Sequence, residues 1–154
     1  SVIKPAGLAA RDTLRLEAGM PLYGPELGED MNALGAGVDF AIALDKADQE
    51  DGEPFVGMEA LQSTQAKGGP ERKIVGLPVD GKRTPRQGMH VHAAGASIGQ
   101  VTSACMSPTL DRVIAMAWID AAHSAPGTAL RIDTGKDSVL EAKVAPLPFY
   151  KAPK

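Results

Sequence analysis

Two arginines four residues apart, Arg11 and Arg15, are the first side chains that could do chemistry. They lie in ARDTLRLEAGMPLYG, residues 10–24. Residues at that spacing share one helix face, where two like charges cost about 0.2–0.5 kcal/mol. A guanidinium is a planar donor suited to carboxylates, phosphates and polar rings. The pair therefore has two interpretations: ion pairs with carboxylates such as Asp12 or Glu17, which spacing alone favours, or contact with a bound anion or polar ring.

The segment MHVH contains two histidines, His90 and His92, which could form part of a metal site. They are two residues apart on a predicted strand, so both side chains point to one face. No third histidine, cysteine or carboxylate stands at a recognisable metal-ligand spacing, and His123 is distant in sequence. We interpret the two histidines as the polar face of a strand and predict no metal.

Nucleophiles and phosphate loops have little support. Cys105, the single cysteine, stands in SACMSP without the signature of a catalytic cysteine. Ser103 and Ser107 have no nearby base, so nothing indicates a hydrolase triad. The segments GKDS and DGKR lack the Gly-x-x-x-x-Gly-Lys-Ser/Thr spacing of a phosphate loop and are predicted turns. The residues by themselves predict no complete active site.

Composition excludes several classes of protein. The chain has 154 residues, 44% of them hydrophobic, which predicts a packed core. A formal net charge of -3 argues against nucleic acid as a partner. No apolar stretch approaches the roughly 20 residues that span a membrane. One cysteine excludes a disulfide within the chain and favours a reducing compartment.

The first 66 residues predict a mixture of helix and strand. Residues 9–18 read as a helix in which Ala10, Leu14 and Ala18 form the buried stripe, and Gly19 ends it in a left-handed conformation.

Further along, GVDFAIAL at 37–44 alternates apolar residues as a strand does, with Val38, Phe40, Ile42 and Leu44 on one face. The acidic stretch 45–54 predicts a surface loop and 57–67 a second helix.

From Arg72 onward the pattern changes to short strands separated by turns. The segments are RKIVGLPV, MHVHAA, IGQVTSAC, RVIAMAWI, TALRID and VLEAKVAPL. This spacing predicts a small antiparallel sandwich or barrel, with a boundary near 66–72. Its predicted core residues are Val75, Leu77, Val101, Ile114, Met116, Trp118, Leu130 and Ile132.

One family matches this order of segments. PAGLAARDTLRLEAGMPLYG, residues 5–24, closely resembles the signature of the glycine cleavage system T-protein family, the aminomethyltransferases. Similar blocks follow in the family's order: PFVGMEAL (54–61), RKIVGL (72–77), TPRQG (84–88), IGQVTSACMSPTL (98–110), IAMAWI (114–119) and LPFYK (147–151). The resemblance spans nearly the whole chain, but family members are much longer, so it covers only their C-terminal part.

The resemblance implies a mainly β fold with some α. Residues 1–66 would be the end of a mixed α/β folate-binding module, and residues 72–150 an antiparallel, jelly-roll-like β-barrel. The N-terminal part of the same enzyme, with the aspartate regarded as catalytic, would lie outside this chain. We therefore expect no catalytic residue here and no activity from the chain alone.

The implied reaction moves the methylene of an aminomethyl group from the lipoyl arm of the carrier H-protein to tetrahydrofolate, with release of ammonia. Arg11 occupies the position of the family's folate-pocket arginine, and Arg15 is expected to be structural. The expected location is the cytoplasm, or the mitochondrial matrix in a eukaryote. Two alternatives from the same superfamily stay open: a folate-dependent demethylase module and a non-catalytic folate-binding protein.

Three positions depart from the family's pattern. Ala104 stands where Gly is usual, which would strain the backbone if a positive φ is needed there. Phe40 stands where many members carry Trp. The ending FYKAPK lacks the further arginine that members often place at the folate pocket.

Overall fold

Two helices and six strands make up the fold in a computed structural model that describes residues 3–49, 51–135 and 138–151. The helices are α1 (Leu8–Glu17) and α2 (Met58–Ala66). The strands are β1 (Arg72–Val79), β2 (His90–Ala93), β3 (Ala96–Ser107), β4 (Arg112–Asp120), β5 (Ala129–Asp133) and β6 (Val139–Lys143). In these ranges, neither helix has the length and apolar character needed to cross a bilayer.

The six strands form a closed antiparallel barrel in the order β1-β4-β3-β2-β5-β6. Strand β6 returns to β1, where Val79 pairs with Ala142 and the Asp80 N–H donates to the Glu141 carbonyl at 2.9 Å. Closure gives each of the six described strands two neighbours, which removes a common site of aggregation. The predicted antiparallel barrel is confirmed, and each predicted strand segment overlaps one of its strands.

Strand β4 is buried on both faces, which explains its nearly continuous apolar sequence VIAMAWI. Alternate side chains fill the barrel and those between them pack outside it. The inward set is Val113, Ala115, Ala117 and Ile119, and the outward set is Ile114, Met116 and Trp118. All eight predicted core residues are at most 7% exposed, so that prediction is confirmed.

Helix α1 forms as predicted, within one residue at each end, and has a well-defined C-terminus. Gly19 has φ +65°, its N–H donates to the Leu16 carbonyl at 2.9 Å, and the Met20 N–H donates to the Arg15 carbonyl at 2.8 Å. These two bonds form a Schellman motif, which favours glycine at the left-handed position.

The predicted buried stripe of α1 is wrong. Ala10 and Ala18 are exposed and Leu14 is 65% exposed, whereas Leu16 is fully buried. The helix contacts β3 and β4 through Leu16 and the side chains beside it. Charged residues that find partners on the barrel set the orientation of α1, and apolar periodicity could not reveal those partners.

The predicted strand at 37–44 is also wrong. Asp39–Ala41 forms a 3-10 turn, with the Ile42 N–H donating to the Asp39 carbonyl at 3.0 Å. Phe40 is 91% exposed. A strand needs a neighbouring strand with which to form hydrogen bonds. In the described part of the chain, the six barrel strands pair with one another, so residues 37–44 have no strand beside them. The predicted surface loop contains a second short turn, Lys46–Asp48, and the predicted second helix is α2.

Glu17, in the last turn of α1, fastens the helix to the β3–β4 turn. Its carboxylate accepts hydrogen bonds from the hydroxyls of Ser107 and Thr109 and from the Thr109 N–H. A carboxylate at a helix C-terminus opposes the helix dipole, so these donors offset an unfavourable position. Burial alone would raise the pKa of Glu17, but the three hydrogen bonds outweigh it and the pKa lies below its usual value.

We expect Glu17→Gln to destabilise the chain at neutral pH by about 1–3 kcal/mol, because Ser107 and Thr109 then lose a charged acceptor. A depressed folded pKa stabilises the fold above the unfolded pKa, and this contribution is lost as pH falls through the folded value. The difference in melting temperature between wild type and variant should therefore shrink on acidification. Glu29→Gln, at an exposed glutamate, should change stability by less than about 0.5 kcal/mol. A difference that stays constant between pH 7 and pH 3 would contradict this account.

Candidate functional site

A cleft of about 600 Å³ lies between α1 and the barrel. Its walls come from α1, from the segment that follows it, from the β1–β2 loop and from β3. The lining residues are Leu8, Arg11, Asp12, Arg15, Leu22, Pro25, Pro85, Arg86, Gln87, Thr102, Ser103 and Ala104. Arg11 and Arg15 both belong to this set.

Arg15 forms the structural floor of this cleft. Its guanidinium, 10% exposed, contacts Asp12 Oδ1 at 2.7 Å and Glu26 Oε2 at 3.1 Å, and donates to Ser103 Oγ at 2.7 Å. Glu26 is fully buried and accepts further hydrogen bonds from Ser103 Oγ at 2.6 Å and the Leu22 N–H at 3.0 Å. Three elements of the cleft, namely α1, the segment that follows it and β3, are therefore joined at one guanidinium, and the predicted pairing of Arg15 with a carboxylate is present.

Arg11 has a different environment. It is exposed, and its side chain forms no ion pair or hydrogen bond with any residue the structure describes. Glu17, considered as a partner for either arginine, is instead bonded to Ser107 and Thr109. Arg11 therefore keeps its five N–H donors for groups outside the described chain.

Thr102 stands at a β-bulge in the cleft wall. The register between β3 and β4 shifts between Val101 and Ser103, so Thr102 has no partner across the ladder. Its side chain is buried, and Oγ1 lacks a hydrogen-bond partner in the described part of the molecule. Bulges often redirect a side chain at a functional site. Here the bulge turns Ser103 toward Arg15 and places Thr102 in the wall.

A second cleft, of about 840 Å³, adjoins the first. The two share Pro25, Gln87 and Thr102 as lining residues. The second extends toward Asn32, Lys67, Gly69, Arg72, Gln100 and Trp118. Trp118 Nε1, like Thr102 Oγ1, is buried without a partner in the described ranges. The two clefts therefore adjoin along the edge where the first 70 residues meet the barrel.

The histidines and the cysteine take no part in either cleft. The rings of His90 and His92 lie 6.4 Å apart, and among the described residues no group of three His, Cys, Asp or Glu could hold a metal ion. Burial and the nearby carboxylates of Asp12 and Glu17 raise the pKa of Cys105 above its ordinary value. Its thiol is therefore protonated at neutral pH and is a poor nucleophile.

Two of the departures from the family pattern cause no strain here. Ala104 lies within β3 and is not among the residues with positive φ in the described chain. Phe40 projects into solvent. Sequence reasoning did not identify Glu26, Arg86 or Thr102, and it considered Ser103 only as a nucleophile. Ser103 lies 77 positions from Glu26, so no local pattern could have linked them.

Family models match both parts of the chain. The model described as the glycine cleavage T-protein C-terminal barrel domain matches residues 72–151, and the one described as the GCVT N-terminal domain matches residues 1–46. The first covers all six strands of the barrel, and the second covers α1 with Arg11 and Arg15.

Individual relatives agree. Curated proteins named aminomethyltransferase from Saccharopolyspora erythraea and Streptomyces avermitilis are 47% and 48% identical over 97% of this chain. The chain spans 39% and 40% of their lengths. A crystal structure titled glycine cleavage system aminomethyltransferase T, from Bartonella henselae, superposes with a TM-score of 0.84 at 32% identity, covering 94% of this chain and 39% of that one. The chain therefore belongs to the glycine cleavage T-protein, or aminomethyltransferase, family.

Proposed function

We propose that this chain is the C-terminal portion of an aminomethyltransferase. In that role it helps to transfer the methylene of a lipoyl-bound aminomethyl group to tetrahydrofolate, with release of ammonia. The observation that carries the proposal is Arg11, a guanidinium without a partner in the described chain, at a cleft whose floor is braced by Arg15 and Glu26. Residues 1–66 would close a folate-binding module, and residues 72–150 would be the barrel that supports it.

The cleft suits part of a folate. At about 600 Å³ it lies within the usual range for small-molecule sites, roughly 300–1,000 Å³. Arg11 offers several N–H donors in a plane, and Thr102 offers a hydroxyl without a partner in the described residues. A folate carries a polar heterocycle at one end and carboxylates at the other, and both accept hydrogen bonds of these kinds.

Tetrahydrofolate would supply the nucleophilic nitrogens of the reaction. This chain's residues would bind and orient it rather than move protons, because a guanidinium stays charged at every accessible pH. Fixed orientation is itself a large part of catalysis, since it removes the entropic cost of bringing the reactants together. Arg15, Glu26 and Ser103 would keep the cleft wall in place, and the catalytic residue would come from the remaining part of the enzyme.

The partners follow from the same proposal. The lipoylated H-protein would deliver the aminomethyl group, and the remaining part of the enzyme would contribute the catalytic aspartate. The cytoplasm would keep Cys105 reduced. The name that the relatives share favours this function over the demethylase and the non-catalytic folate-binding protein.

The chain alone should show no turnover with lipoyl-bound aminomethyl carrier and tetrahydrofolate, because no acid or base of the cleft is free to act. A chimera that carries residues 1–154 in place of the matching stretch of the Streptomyces avermitilis relative should release ammonia. Release of ammonia by the isolated chain would refute the first expectation. A correctly folded but inactive chimera would count against the proposed function.

Substitution of the two arginines should separate binding from stability. In the chimera, Arg11→Ala should weaken folate affinity by about ten- to hundredfold, since a hydrogen bond to a charged group contributes about 1.5–3 kcal/mol and 1.4 kcal/mol is a factor of ten. Its melting temperature should change little, because the side chain is exposed.

Arg15→Ala should instead destabilise the fold by about 3–5 kcal/mol, because it leaves the Glu26 carboxylate buried without its cation. Titration with folinic acid and thermal unfolding of both variants measure the two effects. The opposite pattern, with Arg11→Ala unstable and Arg15→Ala unable to bind, would reverse the assignment.

A further inference from the structure

We propose that Arg86 and Thr102 complete the site that Arg11 begins, and that the three together bind the carboxylates at the glutamate end of a folate. This inference rests on the proposed function, and it assigns one end of the ligand to a particular part of the cleft. Neither Arg86 nor Thr102 is needed for the barrel core, since both line the cleft wall outside it.

The 600 Å³ cleft has more positive than negative side chains. Its lining residues carry three guanidiniums and one carboxylate: Arg11, Arg15, Arg86 and Asp12. Arg15 is neutralised by Asp12 and by Glu26, which lies behind the wall. The Asp12 carboxylate is held by Arg15, so it is not free to neutralise a second cation fully.

Two cations of the cleft therefore lack a counter-charge. The side chains of Arg11 and Arg86 are exposed and form no ion pair or hydrogen bond within the described ranges. They reach the cleft from α1 and from the β1–β2 loop, far apart in sequence. Like charges that face one depression repel each other, and a ligand of opposite charge relieves that repulsion. The geometry thus favours an anion with more than one negative group.

Thr102 supplies a second, independent sign of a ligand. A buried hydroxyl without a hydrogen bond costs about 1–3 kcal/mol, so proteins seldom leave one unpaired. Thr102 Oγ1 is such a group in the described chain, at a bulge between the two clefts. A carboxylate oxygen in the cleft would accept a hydrogen bond from it and remove the penalty.

The ligand chemistry follows from these three donors. A guanidinium pairs with a carboxylate through two parallel hydrogen bonds and through the attraction of opposite charges, and a neutral ring lacks the second contribution. A glutamate end has two carboxylates, one for each unpaired arginine. The rest of the folate would then extend away from this end of the cleft.

Arg86→Gln in the chimera tests the assignment, with Arg112→Gln as the matched control. Arg112 is also exposed and has no ion pair among the described residues, but it lines neither cleft. Calorimetric titration would use folinic acid and its analogue without glutamate, 5-formyltetrahydropteroate. Arg86→Gln should lower affinity for folinic acid about tenfold and leave affinity for the analogue unchanged, since the analogue lacks the carboxylates. Arg112→Gln should bind both as the unsubstituted chimera does.

Thr102→Val should change ligand affinity without lowering stability, whereas substitution of a purely structural residue would lower stability. Thr102→Val removes the hydroxyl and keeps the side-chain shape. Because the hydroxyl is unpaired in the free chain, its loss should leave the melting temperature unchanged or raise it. Affinity for folinic acid should still fall about tenfold, because the bound carboxylate loses a donor.

Other outcomes would overturn the proposal in distinguishable ways. If Arg86→Gln weakens both compounds equally, Arg86 does not contact the carboxylates; if it weakens neither, Arg86 is outside the site. If the unsubstituted chimera binds neither compound, the proposed function fails. Titration with p-aminobenzoylglutamate, which lacks the pterin, then tests the carboxylate site alone, and no binding there overturns this inference too.

Discussion

The buried ion pair between Arg15 and Glu26 is the interaction on which the rest of the site depends. Glu26 is fully buried, and such a carboxylate is tolerable only when donors surround it. Arg15, Ser103 and the Leu22 N–H provide them. Each donor comes from a different element, so satisfying one carboxylate fixes the relative positions of α1, the following segment and β3.

That requirement explains the unexpected orientation of α1. Packing alone would turn Leu14 inward and leave Arg15 and Glu17 in solvent. The structure does the reverse: Leu14 is 65% exposed, while Glu17 is buried against the β3–β4 turn. Burying the charges of Arg15 and Glu17 without partners would cost more free energy than exposing Leu14. With a partner for each charge, the cost of desolvation is offset. Because Ser103, Ser107 and Thr109 on the barrel provide these partners, the polar contacts determine how α1 packs on the barrel. Arg11 then lines the cleft.

The barrel provides the rigid support for this arrangement. Strand β4 is buried on both faces, so it joins the interior of the barrel to the layer that covers it. The C-terminal segment crosses β1 at Gly76, where Ala145 pairs with it and an added Cβ would come within 2.9 Å of Leu147 and Phe149. The Tyr150 N–H then donates to the Glu17 carbonyl, which ties the same segment to α1. The C-terminal segment therefore contacts both the barrel and α1, and it helps to fix their relative positions.

The sequence by itself determined the elements that local patterns specify. Alternating and continuous apolar runs predicted all six strands and eight of their buried residues, and a glycine at the end of a helical run predicted where α1 stops. The order of motifs also predicted the family, because many segments had to match at once. The prediction of a strand at 37–44 was wrong because alternation of apolar residues is a property of one segment, whereas a strand also requires a second segment to pair with.

Tertiary structure alone decided the site. Ser103 lies 88 residues from Arg15 and 77 from Glu26, and Glu17 lies 90 from Ser107. No local periodicity encodes contacts at such distances. Arg11 and Arg15 are the same residue type on one helix, and helical spacing alone does not separate them. Among the described residues, the fold places a buried carboxylate beside Arg15 and none beside Arg11, which makes Arg15 part of the scaffold and leaves Arg11 without an ion pair.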